Sequence, residues 1–423
     1  MRKASKVLCC LPMLLCIVLL GLGSNAWAAP QKVVFWKAPH SDQEAVYWKP
    51  ILDKFMKENP GITVEHLVTP WDTWTEKYTA AFAGGNPPDV SYMTEWYPTF
   101  AEANQLADLS TYVSADTKKA IGKGNWDYAT YKGKLIGIPF LAVDSIVFYN
   151  KDIFAKEGVS IPKTWDEFLA VAKKLTKDTN GDGKIDQWGT AFGLKPEVNI
   201  HQFMPFVIAA GQTYLSADEK QLGFANPDGI KAIKYITDFI VKEKVAPTID
   251  METDQNWASN LFYSGKVAMV IGQNIFESDV KTNAPNLKLG AFEIPASSVK
   301  DPRVARANYG GLGLLSMAQA SKNKDLAWKL IDFIMRPENA SMYLSKVNFL
   351  SPVESANKIM YPSDEIINVA SAATQSMVNY PVNPKWKEID TTLKLMLEEI
   401  IRGAKPADKA VMDANEKAKA ILK

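Results

Sequence analysis

The chain has 423 residues, with 48 basic against 47 acidic side chains, and 47% of its residues are hydrophobic. This balance excludes the large basic excess that nucleic acid or anionic lipid would require. The length exceeds what one core usually holds, so at least two lobes are expected.

Residues 1–28 read as a cleaved secretory signal. Arg2, Lys3 and Lys6 form a positive start, Val7 to Leu22 is apolar apart from Pro12 and Gly21, and Ala26-Trp27-Ala28 offers small residues for cleavage before Ala29. The apolar run is short and proline-broken for a membrane span. Removing this segment takes away three bases and no acid, leaving 45 basic against 47 acidic residues. Cys9, Cys10 and Cys16, the chain's cysteines, all lie within it. The mature chain therefore forms no disulfide, thiolate nucleophile or cysteine metal site. Leu15 stands before Cys16 where a lipid anchor expects a small residue. A freely soluble protein of a Gram-negative periplasm is the expectation, with no membrane insertion after cleavage.

Val33 to Trp36 reads as a buried strand. Glu44 to Lys57 reads as a helix despite Pro50, ended by Asn59-Pro60-Gly61. Ile62 to Leu67 alternates like a strand, Trp71 to Phe82 is helical, and Asp89 to Met93 is the next strand. This alternation predicts an α/β fold with a mostly parallel sheet flanked by helices. Such sheets bind ligands beyond the carboxyl ends of their strands. The segments there carry Trp36, His40 and Asp42; Trp71, Asp72 and Trp74; and Glu95, Trp96 and Tyr97. Trp36, His40, Trp71, Trp74, Glu95 and Trp96 are therefore the first ligand-binding candidates. Flat aromatic faces edged by acceptors and donors suit a pyranose ring. Trp165, Trp328 and Trp386 read as core packing.

Ser145 to Tyr149 reads as a strand. Thr164 and Glu167 then have capping-box spacing before an apolar stripe at Phe168, Leu169, Val171, Ala172 and Leu175. Asp178 to Gly189 carries oxygen side chains at positions 1, 3, 5 and 9 and glycine at 6, as a calcium loop does, but Gly189 replaces the bidentate glutamate. Asp178, Asn180, Asp182, Lys184 (through its carbonyl) and Asp186 would hold a structural calcium; the other reading is a polar turn. A helix is expected around Asp228 to Glu243, and Asp325 to Met335 is another.

Phe148-Tyr149-Asn150-Lys151-Asp152, running on to Pro162-Lys163-Thr164-Trp165-Asp166-Glu167-Phe168, resembles the segment after the first interdomain crossing in extracellular solute-binding proteins of ABC importers, the carbohydrate-type family 1. Tyr131 to Phe140, Phe262-x-x-Gly265-Lys266-Val267-Ala268-Met269 and Tyr309-Gly310-Gly311-Leu312-Gly313-Leu314 resemble its other signatures in order. The resemblance implies a two-lobed, type II-like periplasmic-binding-protein fold with three interlobe crossings. Residues 29–142 plus 291–349 would form the N-terminal lobe and 143–290 plus 350–423 the C-terminal lobe. It implies a monomeric receptor, not an enzyme, that closes over a neutral carbohydrate or polyol and delivers it to the importer's permease subunits, with no cofactor required. Asp144 beside the first crossing, Trp257, Asn274 and Phe276 after the Ala268-Met269 strand, and Tyr309 and Gly310 complete the candidate site.

The residues leave two other readings. An anionic ligand such as a glycerophosphodiester would recruit Arg303 or Arg306. An exported carbohydrate-active enzyme would need two opposed carboxylates, for which Glu95 and Asp144 are the pair at hand. Neither a G-x-S-x-G elbow nor a phosphate loop is present.

Overall fold

The computed structural model describes residues 31–121, 123–193, 198–248 and 257–423. The expected signal at 1–28 lies outside them. The strands run in chain order as β1 (Gln31–Lys37), β2 (Ile62–Val68), β3 (Val90–Met93), β4 (Thr130–Tyr131), β5 (Lys134–Leu135), β6 (Ile138–Asn150), β7 (Trp188–Ala191), β8 (Val267–Gln273), β9 (Leu289–Phe292), β10 (Asn308–Met317) and β11 (Met377–Val378). Helices α1 (Glu44–Glu58), α2 (Trp71–Ala83) and α3 (Tyr97–Glu102) fill the connections between the first strands and follow β3.

One sheet runs β2-β1-β3-β10-β6-β8-β7, with β9 also on β6 and β11 on β10. Its outer pairs are parallel: β1 with β2 and β3 in the first lobe, β7 with β8 in the second. The middle is antiparallel because β6 and β10 carry the chain between the two halves. β6 is buried along its whole length, as a strand covered on both faces should be. Up to Asp144 it pairs with β10, and from Ser145 onward with β8. The change of partner falls inside Ala142–Ser145, where the first hinge is expected. Ala142 also exchanges two backbone hydrogen bonds with Leu350, of 2.9 and 3.0 Å. The expected third crossing thus lies beside the first.

Local chemistry explains the element ends. Thr164 Oγ1 accepts from the Glu167 backbone N–H at 3.3 Å and caps helix Trp165–Leu175. The return arm of the box differs from its usual form: Glu167 Oε2 accepts from the Lys163 N–H at 2.6 Å. Pro50 sits on the exposed face of α1, where the carbonyl it leaves unpaired can meet water. Two glycines of β10 are required by close approach. A Cβ on Gly313 would lie 2.3 Å from the Tyr92 ring, and one on Gly310 would lie 1.7 Å from Met377 Cγ.

Candidate functional site

The first-lobe wall grows from the ends of β1 and β3 and the start of α2. His40, just past β1, packs its ring 4.4 Å from Phe349, 5.3 Å from Tyr92 and 5.6 Å from Trp71, measured between centroids. Its Nδ1 lies 2.8 Å from Lys37 Nζ and its Nε2 3.3 Å from Tyr92 Oη. Burial, and then the Lys37 charge, hold the imidazole well below its usual titration range. Trp71 keeps 38% of its surface exposed while its Nε1 donates to the Pro39 carbonyl at 2.6 Å. A flat apolar face, pinned by its one polar atom, is what a sugar ring stacks on. Glu95 and Trp96 follow β3, both half-buried. Desolvation raises the Glu95 carboxyl, with Asp390 adding to the rise and Lys394 opposing it.

The second-lobe wall contains a cavity of about 430 Å³ at the carboxyl ends of β7 and β8. Asn199, His201, Gln202, Gln273, Phe276 and Asp279 line it, with Ser145 from the hinge. The amide side chains are held in place. Asn199 Oδ1 accepts from the His201 backbone N–H, and Gln202 bridges the Gly193 N–H and the Ile271 carbonyl. Burial raises the Asp279 carboxyl, and the charge of Asp42 from the first lobe raises it further.

A third cluster closes the far end. His201 stacks on Tyr309 with centroids 3.7 Å apart and planes at 4°, and Tyr380 lies 5.0 Å from Tyr309 and 4.7 Å from Trp386. Helix Trp386–Ile401 adds the Asp390–Lys394 pair at 2.7 Å. Burial, then Lys394, pushes His201 down to about 3. The walls touch here: Thr99 Oγ1 donates to the Pro384 carbonyl at 3.1 Å, and Lys387 Nζ lies 6.0 Å from the Trp96 ring centre.

Several expected site residues lie elsewhere. Trp74 is fully buried and stacks on Tyr78 at 4.2 Å, because its spacing on α2 follows the core stripe Trp74-Tyr78-Phe82. Trp36 packs edge-on against Tyr78 at 5.6 Å and accepts the Tyr78 hydroxyl through its carbonyl. Asp144, expected to face the cleft, does not line the cavity, whereas its neighbour Ser145 does. Gly310, opposite Asp144, faces Met377 and not the cavity. Asp144 has no exposed surface, no hydrogen-bond partner on either carboxyl oxygen, and a carboxyl raised well above its usual range by burial. Asn274 is buried as a fastener: Oδ1 accepts from the Asp144 N–H at 3.2 Å and Nδ2 donates to the Asn348 carbonyl. Trp257 is buried at the start of helix Trp257–Tyr263.

The loop at 178–189 is organised by its own backbone. Asp178 accepts from the N–H groups of Asn180, Gly181 and Gly183, Asp182 from Lys184, and Asp186 from Thr179. No group of three or more His, Cys, Asp or Glu side chains is arranged to hold a metal ion among the described residues. Arg303 pairs with Asp301 at 3.4 Å and Arg306 with Glu293 at 3.6 Å, and neither lines the cavity. No local pattern marks His201, Tyr380, Asp390 or Lys394, which the topology gathers from distant segments. Trp386, expected in the core, is buried there but also backs this cluster.

Comparison with known proteins places this geometry. The family model for bacterial extracellular solute-binding proteins matches residues 38–341. A protein of Brucella abortus (strain 2308) named as a binding protein is 30% identical over 96% of both chains. The diacetylchitobiose binding protein DasA of Streptomyces coelicolor is 25% identical, covering 86% of this chain and 84% of its own. Among solved structures, the sugar-binding protein MalE of Xanthomonas citri superposes with a TM-score of 0.81 at 22% identity, over 93% of this chain and 97% of that one. No helix among the described residues is long and apolar enough to cross a membrane.

Proposed function

Because this chain belongs to the bacterial extracellular solute-binding proteins, we propose that it is the carbohydrate receptor of an ABC importer. It takes up a neutral sugar or short oligosaccharide between its lobes in the periplasm, as a monomer, and presents it unaltered to the permease. The observation that carries this reading is the cleft lining. A cavity of about 430 Å³ is walled by the amides Asn199, Gln202 and Gln273, the hydroxyls Ser145 and Ser259 and the rings of His201 and Phe276, with Asp279 as its carboxylate and no Arg or Lys. Such groups accept from and donate to sugar hydroxyls, whereas an anion finds no cation there. Relatives point the same way: a maltotriose-binding protein of Pyrococcus abyssi is 25% identical over 89% of this chain.

The two other readings lose their supports. The arginines that an anionic ligand would recruit are already paired with carboxylates. Neither Glu95 nor Asp144, the carboxylate pair a glycosidase would need, lines the cavity.

A thermal-shift panel with maltotriose, diacetylchitobiose, tagatose and glycerol 3-phosphate tests the reading, since a ligand bound only by the native state raises the melting point. A neutral sugar is expected to raise it with no product formed. A shift with glycerol 3-phosphate alone, or turnover of an oligosaccharide, overturns it.

A further inference from the structure

Lys37, at the end of β1, has no exposed surface. Its Nζ lies 2.7 Å from Glu44 Oε1, 2.7 Å from Tyr343 Oη, 2.8 Å from the Ala38 carbonyl and 2.8 Å from His40 Nδ1. Glu44 is fully engaged. Besides Lys37 it accepts from Trp48 Nε1 at 2.8 Å, from Tyr343 Oη at 2.9 Å and from the His40 backbone N–H at 2.9 Å. The carboxylate is thereby fixed in place beside Lys37.

An ammonium has three N–H donors and no lone pair; they meet the Ala38 carbonyl, Tyr343 Oη and His40 Nδ1, with Glu44 as the ion-pair partner. Nδ1 of His40 is then the lone-pair nitrogen, because a proton there would meet an N–H of Lys37; Tyr343 Oη, 3.0 Å from Nδ1, sends its own proton to Glu44. The ring proton then sits on Nε2, which lies 3.3 Å from Tyr92 Oη. With Nε2 donating to it, the Tyr92 oxygen accepts, and the hydroxyl proton of Tyr92 is left for another partner.

We propose that Lys37 is a positioning residue: its ammonium holds His40 as the neutral Nε2–H tautomer, so that Nε2 donates to Tyr92 Oη beside Trp71 in the first-lobe wall. That this wall meets a sugar rests on the carbohydrate reading; the tautomer belongs to the ligand-free chain. The groups facing His40 are Lys37 from β1, Glu44 from α1, Tyr92 from β3 and Tyr343 from helix Pro337–Val347, with Trp71 and Phe349 as apolar neighbours. Lys37 is the nearest cation, and its charge adds to burial in keeping the imidazole uncharged. Lys37 is itself lowered to about 8 by burial, against the pull of Glu44. Above that pH a neutral amine can accept, and both imidazole tautomers become permitted.

Imidazole 15N–1H correlation spectra of the ligand-free protein test this directly. The three histidines are assigned by loss of signals in H40Q, H66Q and H201Q. The expected result is a His40 ring protonated on Nε2, with Nδ1 in the acceptor range, unchanged between about pH 5.5 and 7.5. The second tautomer should emerge as pH rises through about 8. Lys37→Met is expected to mix the His40 tautomers, while burial, the larger cause, still keeps the imidazole uncharged. Lys37→Arg, which keeps the charge, is expected to restore the wild-type spectrum. Should Lys37→Met fail to melt cooperatively, Lys37→Met with Glu44→Gln removes both charges together and is read the same way. A proton on Nδ1 in the wild type, or a His40 spectrum identical with and without the Lys37 charge, overturns the proposal. The wild-type spectrum depends on no variant, and none of these readings depends on which ligand binds.

Discussion

A lysine without exposed surface is costly unless every donor finds a partner. Lys37 meets that condition through Glu44, Tyr343, Ala38 and His40. Removing one member of such a pair leaves the other charge buried and uncompensated. Lys37→Met is therefore expected to lower the unfolding free energy by about 3–5 kcal/mol, measured by urea denaturation. The double change with Glu44→Gln should lose less. The pH dependence has a definite sign. The folded Lys37 titrates at about 8, below the roughly 10.4 of an unfolded lysine. Between those values the unfolded chain holds the proton and the native chain does not. Stability therefore rises with pH across that window in the wild type relative to Lys37→Met. At this scale the sequence is legible where one periodicity governs a residue and misleading where two compete. Position after β2 put both Trp71 and Trp74 near the ligand, but the spacing Trp74-Tyr78-Phe82 claims Trp74 for the core and leaves Trp71 exposed. Asp144 and Ser145 are neighbours on one strand, and of the two only Ser145 lines the cavity.

Elements were the most legible level, because their ends carry local chemistry. Thr164 caps helix Trp165–Leu175 as its T-x-x-E spacing predicts. Thr164→Ala is expected to cost about 1 kcal/mol, read as a shift in the urea midpoint with an unchanged slope. The residues from Ser145 to Tyr149 announce a strand, but not that β6 begins at Ile138 and serves both lobes. That follows from pairing with β10 and β8, which lie far along the chain. Asn274 has a role no pattern reveals: it ties residue 144 of the first crossing to residue 348 beside the third. Asn274→Ala leaves a buried N–H and a carbonyl without partners. A loss of about 1–3 kcal/mol is expected, together with faster amide hydrogen exchange at residues 142–145 and 348–350. Unchanged exchange there would remove the fastening role.

For the whole molecule, the two-lobed architecture was readable from length, strand–helix alternation and the ordered family signatures. The composition of the cleft was only half readable. Strand-end reasoning points to the segments after β1, β2 and β3, where His40, Trp71, Glu95 and Trp96 stand. It has no purchase on the wall assembled from His201, Tyr309, Tyr380 and Asp390, which meet only through tertiary packing. Ligand contacts made by both walls favour the closed arrangement. Saturating the protein with the sugar giving the largest thermal shift is therefore expected to reduce its radius of gyration in small-angle X-ray scattering. A radius unaltered at saturation would mean that capture occurs without lobe movement.

The meeting of Thr99 with Pro384 across the rim has a practical corollary. No thiol occurs beyond residue 16, so in protein prepared from residue 29 onward a cysteine introduced at position 99 would be the sole attachment point for an environment-sensitive dye. Its brightness would follow rim opening and shutting, turning the receptor into an optical biosensor for whatever nutrient it collects.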